Sequence, residues 1–311
     1  MPYSLLSRFQ GCLLGSGLGE YAATQITDTA IVWNPLIWQS LEPLIQPPEQ
    51  AATFSWLHSP QANGHDSSTA PIDAQAIATL PLMLFFHDDA LKQQQALTQA
   101  MPSWHTESNT QASLLALGYA IAQACKQQLN PTTLLSEVSA YLELCLPPGS
   151  PQTTTPNTWL ATTQMLLTDA TDLQTAMTIV QQWQRQPQIA GAIALAFYCF
   201  LSAPETLQLS VHQATHTSYA PTLVAAITGA LSGTYNSAIG MPIPWLTAYD
   251  HSRISRTDAL PTTLEIRHQA TRLFASWSGS YNVAVVEQRM AAVAAPQVLR
   301  PRWNSSPNAT L

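Results

Sequence analysis

Charge is scarce in this chain. Asp, Glu, Lys and Arg together make up 9% of the 311 residues, where about 25% is usual in a soluble domain. Gln, Thr, Ser and Ala fill the gap, so the expected surface is polar but weakly charged. Long apolar runs are missing too: no stretch of about 18 residues escapes polar interruption, which argues against a membrane-inserted protein. Apolar residues still amount to 46% of the chain, enough for a full core, and this excludes disorder along its whole length. The first twenty residues carry one cation, Arg8, and no cleavage-site pattern. They are read as lacking a signal peptide, and the protein as cytoplasmic.

No C-x-x-C pair occurs among the four cysteines, Cys12, Cys125, Cys145 and Cys199, each of which lies in an apolar, helix-like segment. Buried reduced thiols are expected rather than disulfides or metal ligands. The net charge is −7, yet residues 251–311 hold seven of the eleven Lys and Arg (Arg253, Arg256, Arg267, Arg272, Arg289, Arg300, Arg302) against Asp258, Glu265 and Glu287. That end is +4 and the rest is −11. Phosphate contacts need clustered cations in a favourable field, so nucleic-acid binding is not expected. The basic end is either a solvated tail or a segment that meets an acidic surface, its own or a partner's.

Strand-like alternation is absent, and the apolar residues recur at helical steps. In 107–127, Leu114, Leu117, Ile121, Ala124 and Cys125 form one stripe, with Gln111, Gln123 and Gln127 on the other side. Similar stripes fall in 5–23, 33–45, 71–86, 88–100, 131–145, 157–168, 171–185, 188–202, 205–215, 222–236, 261–277 and 282–294. Pro131 and Pro204 sit where helices open, in a first turn that needs no N–H. Pro147, Pro148 and Pro151 interrupt the helices in the middle, and Ser59 to Ala70 reads as a loop. The expectation is all-α: a single compact multi-helix domain over residues 1–294, then a proline-containing, loosely packed segment over 295–311.

Glycines stand out on two of these stripes. Gly11, Gly15 and Gly19 recur every fourth residue, as do Gly229 and Gly233. A helical glycine is disfavoured by roughly 1 kcal/mol against alanine, so its recurrence on one face implies close approach of two helices. The run Arg8-Phe9-Gln10-Gly11-Cys12-Leu13-Leu14-Gly15-Ser16-Gly17-Leu18-Gly19-Glu20 resembles the opening helix of the ADP-ribosylglycohydrolase family. Ala225 to Tyr235, followed by Ile239-Gly240-Met241-Pro242 and Trp245, resembles that family's late glycine helix and its following I-P-x-x-W. Ala194 to Phe200 and Ala203-Pro204-Glu205-Thr206 match the segment before it.

The resemblance implies an all-α fold and, in active members, hydrolysis of ADP-ribose conjugates by two divalent cations. Those cations are held by a Thr-Asp-Asp-Thr run at an early helix start and an Asp-Thr-Asp-Thr run at the late one. Hard cations require several anionic oxygens. Counting back from Gly229, the late run is replaced by Ala220, Pro221, Thr222 and Leu223. A shifted register matches it to His216-Thr217-Ser218-Tyr219, where an imidazole adds no negative charge and suits softer metals. In either register, Val211 to Gly233 contains no Asp or Glu. At the early site, Pro71-Ile72-Asp73-Ala74 keeps only Asp73, and a looser register through His65 to Thr69 keeps only Asp66. Glu20 stands where the family's opening helix ends in Gly-Asp.

Bland readings accompany each of these residues. Asp73 also suits a first helical turn, Asp88 and Asp89 suit the start of the next helix, and His212 and His216 suit satisfied structural histidines. No G-x-S-x-G, H-E-x-x-H or phosphate-loop run occurs. The expected protein therefore has the family fold without its two-metal centre or any other cofactor, and acts as a binding or scaffold pseudoenzyme. The alternative is a hydrolase of ADP-ribose conjugates or a related N-glycosidic substrate with an altered site. Glu20, Asp66, Asp73 and His216 are its candidate acid–base groups, with at most one Mg or Mn ion. Nine tryptophans, low charge and the basic end suggest a protein partner or a larger assembly.

Overall fold

The computed structural model describes residues 3–27, 33–45, 76–100, 108–145, 151–169, 172–183, 189–255 and 261–279. Asp66, Asp73, the 59–70 loop, the 282–294 stripe and the 295–311 segment lie outside them. Thirteen α-helices occupy the described residues, with no strand among them. In order they are α1 (Leu5–Thr27), α2 (Trp33–Ile45), α3 (Leu80–Phe85), α4 (Ala90–Ala100), α5 (Ser108–Cys125), α6 (Leu134–Cys145) and α7 (Pro151–Thr168). There follow α8 (Leu173–Trp183), α9 (Ile189–Ser202), α10 (Leu207–Thr215), α11 (Pro221–Asn236), a 3-10 turn (Ala238–Gly240), α12 (Ile243–Ser255) and α13 (Thr263–Trp277). No helix among them is long and apolar enough to cross a membrane.

Three helices make the centre. Every residue from Leu6 to Glu20 in α1, from Ile189 to Phe200 in α9 and from Leu223 to Thr234 in α11 is buried. A helix buried all round has no polar face to show, which is why α9 is almost purely apolar. α1 and α11 pack antiparallel, with Gly11 against Gly233, Gly15 against Gly229 and Gly19 against Ala225 and Ala226. A Cβ on any of Gly11, Gly15 or Gly229 would meet the facing backbone carbonyl oxygen well inside contact distance. The four-residue glycine spacing is thus the mould of the central helix pair.

Arg8 is buried beside that pair, and its Nη1 donates to the carbonyls of Ala124 (2.9 Å), Thr234 (3.0 Å) and Tyr235 (3.0 Å). Those carbonyls end α5 and α11. Each helix C-terminus carries roughly half a negative charge, so two together balance one guanidinium without any carboxylate. Burial pulls the Arg8 pKa below its ordinary value. Cys12, Cys125 and Cys199 are buried, Cys145 is half-buried, and all four are free thiols, as their apolar settings imply. Burial pushes the Cys12 and Cys199 thiols up to about 12.

Sequence periodicity missed α12 and misread Pro151. Among the described side chains of α12, Tyr249 is the one buried apolar residue while Ile243 is exposed, so they form no stripe to detect. Pro151 opens α7 instead of breaking a helix, because the first turn lacks no bond when its N–H is missing. Asp89 does begin α4, accepting the Lys92 N–H at 3.1 Å; Asp88 accepts from Trp277 Nε1 at 3.4 Å.

His87 is buried between Phe9 and Trp277, with ring centroids at 5.5 and 4.9 Å, and its Nδ1 donates to Leu84 O at 2.7 Å. Burial lowers its pKa from 6.5 to about 4, Asp88 opposing the shift and Lys126 adding to it. Protonation therefore favours the unfolded chain. Stability is full above the unfolded-state value and is lost as pH falls from about 6.5 towards 4. Between pH 7 and pH 4.5 this amounts to about 2 kcal/mol. Urea unfolding at the two pH values should show that loss in the native chain and a smaller one in His87→Asn.

Candidate functional site

The start of α11 is where the family resemblance puts the late metal ligands. α10 ends at Thr215, and the intervening loop is tied by its own side chains. Thr217 Oγ1 donates to Ala214 O (2.8 Å) and Tyr219 O (3.3 Å), and the Ser218 N–H points at Met177 Sδ on α8 (3.0 Å). His216 is exposed, its ring lies 4.4 Å from that of His212, and its Nδ1 donates to the His212 carbonyl at 2.8 Å. A carbonyl only accepts, so Nδ1 carries a hydrogen. Helix-end satisfaction, the bland reading of this histidine, accounts for these contacts.

Ala220 is the residue before α11 and has φ 39°, ψ 53°, with no side-chain cap on the helix. Left-handed backbone costs a non-glycine residue roughly 1–2 kcal/mol, and an alanine offers no oxygen to the first-turn N–H groups. Asparagine tolerates this conformation and caps well. Ala220→Asn is accordingly expected to raise the unfolding free energy by about 1 kcal/mol, read as a higher urea midpoint. Thr222 is half-buried and Leu223 is buried, so the hydroxyl of Thr222 is the single side-chain oxygen among the four positions of the ungapped register.

Glu20 is buried at 2% exposure. It follows Gly19, whose α face rests on Ala225 and Ala226, so the antiparallel pairing brings the Glu20 end of α1 level with the start of α11. Glu20 and the residues aligned with the family's late run therefore belong to one end of the central helix pair. His216 is on the surface, whereas Glu20 is in the interior. No group of three or more His, Cys, Asp and Glu able to hold a metal is found among the described residues. The late half of a two-cation centre does not fit the residues present, since a carboxylate-free helix start gives hard cations nothing anionic to bind.

A profile of the ADP-ribosylglycohydrolase family matches residues 36–281. The chain belongs to the ADP-ribosylglycohydrolase family. The match includes the α11 motif, while the α1 motif lies outside it. No curated protein matches the chain. Among solved structures, a chain of an "ADP-ribosylglycohydrolase-related protein complex" is similar with a TM-score of 0.55 and 14% identity, over 88% of this chain and 99% of that one. At that identity the likeness shows the ADP-ribosylglycohydrolase fold and leaves chemistry to the residues.

A further concavity was not visible in the sequence. It is a groove of about 660 Å³ where the ends of α7 and α9 meet the start of α6, lined among others by Pro131, Thr168, Tyr198, Ser202 and Pro204. Its Pro204 rim takes a hydrogen bond from Asn236, the last residue of α11 (2.8 Å). The groove thus lies at the opposite end of α11 from Ala220, about 24 Å away along a 16-residue helix. Its lining comes from three helix ends far apart in sequence, so no local motif could announce it.

Proposed function

We propose that this member of the ADP-ribosylglycohydrolase family has lost dinuclear-metal hydrolysis and works by binding a protein partner, as a pseudoenzyme or scaffold. One observation carries the proposal: α11 begins Ala220, Pro221, Thr222, Leu223, with no Asp or Glu between Val211 and Gly233. Two adjacent divalent ions repel each other strongly, and the ligand cluster must supply the compensating negative charge. A helix N-terminus adds partial positive charge at the same spot, so without carboxylates the local field opposes a cation. The loop before α11 is tied by Thr217 to Ala214 O and Tyr219 O and by Ser218 to Met177.

Full-length protein incubated with arginine- or serine-ADP-ribosylated peptides and Mg²⁺ or Mn²⁺ should release ADP-ribose no faster than the protein-free control. Release at an ordinary enzymatic turnover of about 1 s⁻¹ or more would overturn the proposal.

Glu20 favours a second reading. A carboxylate held in the interior at the level of the former site is costly to bury and is poised for acid–base work or for one Mg or Mn ion, with Asp66, Asp73 or His216 as further groups. Under this reading Glu20→Gln abolishes a slow, metal-dependent hydrolysis; under the first there is no hydrolysis to abolish.

A further inference from the structure

The groove at the far end of α11 faces two negative helix ends, although some of their carbonyls are answered locally: Gln164 O by Thr168 Oγ1, Cys199 O by Ser202 Oγ and Phe200 O by the Ala203 N–H. α7 closes on it with Leu166, Leu167 and Thr168, and α9 with Leu201 and Ser202. The last carbonyls of a helix have no donor within the helix, and the end carries about half a negative charge. Lysine, arginine or histidine commonly answers this in the last turn. Neither α7 nor α9 has a basic residue there, and none of the described residues that line the groove is charged.

Carboxylates surround it. Asp169 follows Thr168 directly, Glu205 follows Pro204 directly, and both are exposed. Asp172, also exposed, acts electrostatically on the Tyr198 hydroxyl of the groove wall. The third element, the start of α6, is a positive helix end, but Glu137 stands in its first turn and accepts from Thr133 Oγ1 at 2.6 Å. The protein resolves the same problem once already in its interior. There the ends of α5 and α11 converge, and Arg8 bridges them. The second convergence, between α7 and α9, has apolar walls for a side-chain stem and negative ends for a cationic head, and no cation among the described residues that line it.

We propose that this groove is a docking site for an arginine-bearing peptide segment of a partner protein, the guanidinium lying between the ends of α7 and α9 and the flanking residues lying on Leu167, Leu201 and Tyr198. The proposal is independent of whether the family's hydrolysis survives, since the groove is at the other end of α11 from the former metal site. Guanidinium suits it better than ammonium because its planar fork presents donors on separate nitrogens to carbonyls of two elements at once; in the interior, one nitrogen of Arg8 already spans two helix ends.

The test uses the full chain and a fluorescein-labelled hexapeptide, Gly-Pro-Arg-Pro-Leu-Gly, read by anisotropy beside its citrulline twin, which keeps the shape and loses the charge. The arginine peptide should bind about tenfold more tightly than the citrulline one. Asp169→Asn with Glu205→Gln should weaken it about fivefold, and 0.5 M salt should do the same. Thr168→Arg, which places a cation at the end of α7 in cis, should abolish binding with no fall in Tm. Equal binding of the two peptides, no binding of either at millimolar concentration, or full binding by a folded Thr168→Arg chain would each overturn the proposal.

Discussion

Replacing Gly15 by alanine is expected to destabilise the protein by about 4 kcal/mol, close to the whole stability margin of many domains. The new methyl group would overlap the carbonyl oxygen of Gly229, stand 2.8 Å from the Gly229 carbonyl carbon and press on Gly233 Cα at 3.3 Å. All three are backbone atoms in the middle of a buried helix, so nothing nearby can swing away. The intrinsic preference of a helix for alanine over glycine returns only about 1 kcal/mol. Gly118→Ala is the control, because there a Cβ meets the Gln93 side chain at 3.1 Å. A side chain gives way more readily than a backbone, and the change should stay within about 1 kcal/mol. Urea unfolding of both variants decides the matter, and a Gly15→Ala chain as stable as the native one would refute the close-packed pairing of α1 with α11.

Arg8→Met should cost about 3 kcal/mol by the same measurement. Methionine keeps the apolar stem and drops the charged head, so the loss is chiefly electrostatic: the carbonyls of Ala124, Thr234 and Tyr235 lose their donor, and two helix ends are left facing each other in the interior. Arg8→Lys keeps the charge and a multi-donor nitrogen but on a shorter stem, and should recover about half of the loss. A neutral Arg8→Met would mean that water, rather than the guanidinium, answers those carbonyls. The Arg8 Nε is buried with no hydrogen-bond partner, so the guanidinium is held by charge and by one nitrogen. It is not a fully satisfied fork.

Much of this architecture could be read from residues that obey a local rule. The glycines at 11, 15 and 19 and at 229 and 233 announced a close helix pair because a missing Cβ every fourth residue has few other uses. The apolar segments around Cys12, Cys125 and Cys199 announced their burial, whereas Cys145 is half-buried. The absence of carboxylates between Val211 and Gly233 was legible in either register, since it concerns a whole segment. α12 was not legible, because it rests on the surface with little to bury. The roles of Arg8 and His87 were hidden for another reason. Each is decided by partners from distant helices, Ala124 and Thr234 for one and Phe9 and Trp277 for the other. The groove between α6, α7 and α9 has the same origin. Of the candidate acid–base groups, Glu20 and His216 occupy described positions, one interior and one exposed, while Asp66 and Asp73 lie outside the described residues.

Isothermal calorimetry of Mg²⁺ and Mn²⁺ titrated into the full-length chain measures the missing carboxylates directly. The account predicts no pair of sites: heats indistinguishable from dilution, or at most one weak ion per chain that Glu20→Gln removes. Two ions bound per chain with affinities in the micromolar range would contradict it, because α11 would then be holding a cation with no carboxylate of its own.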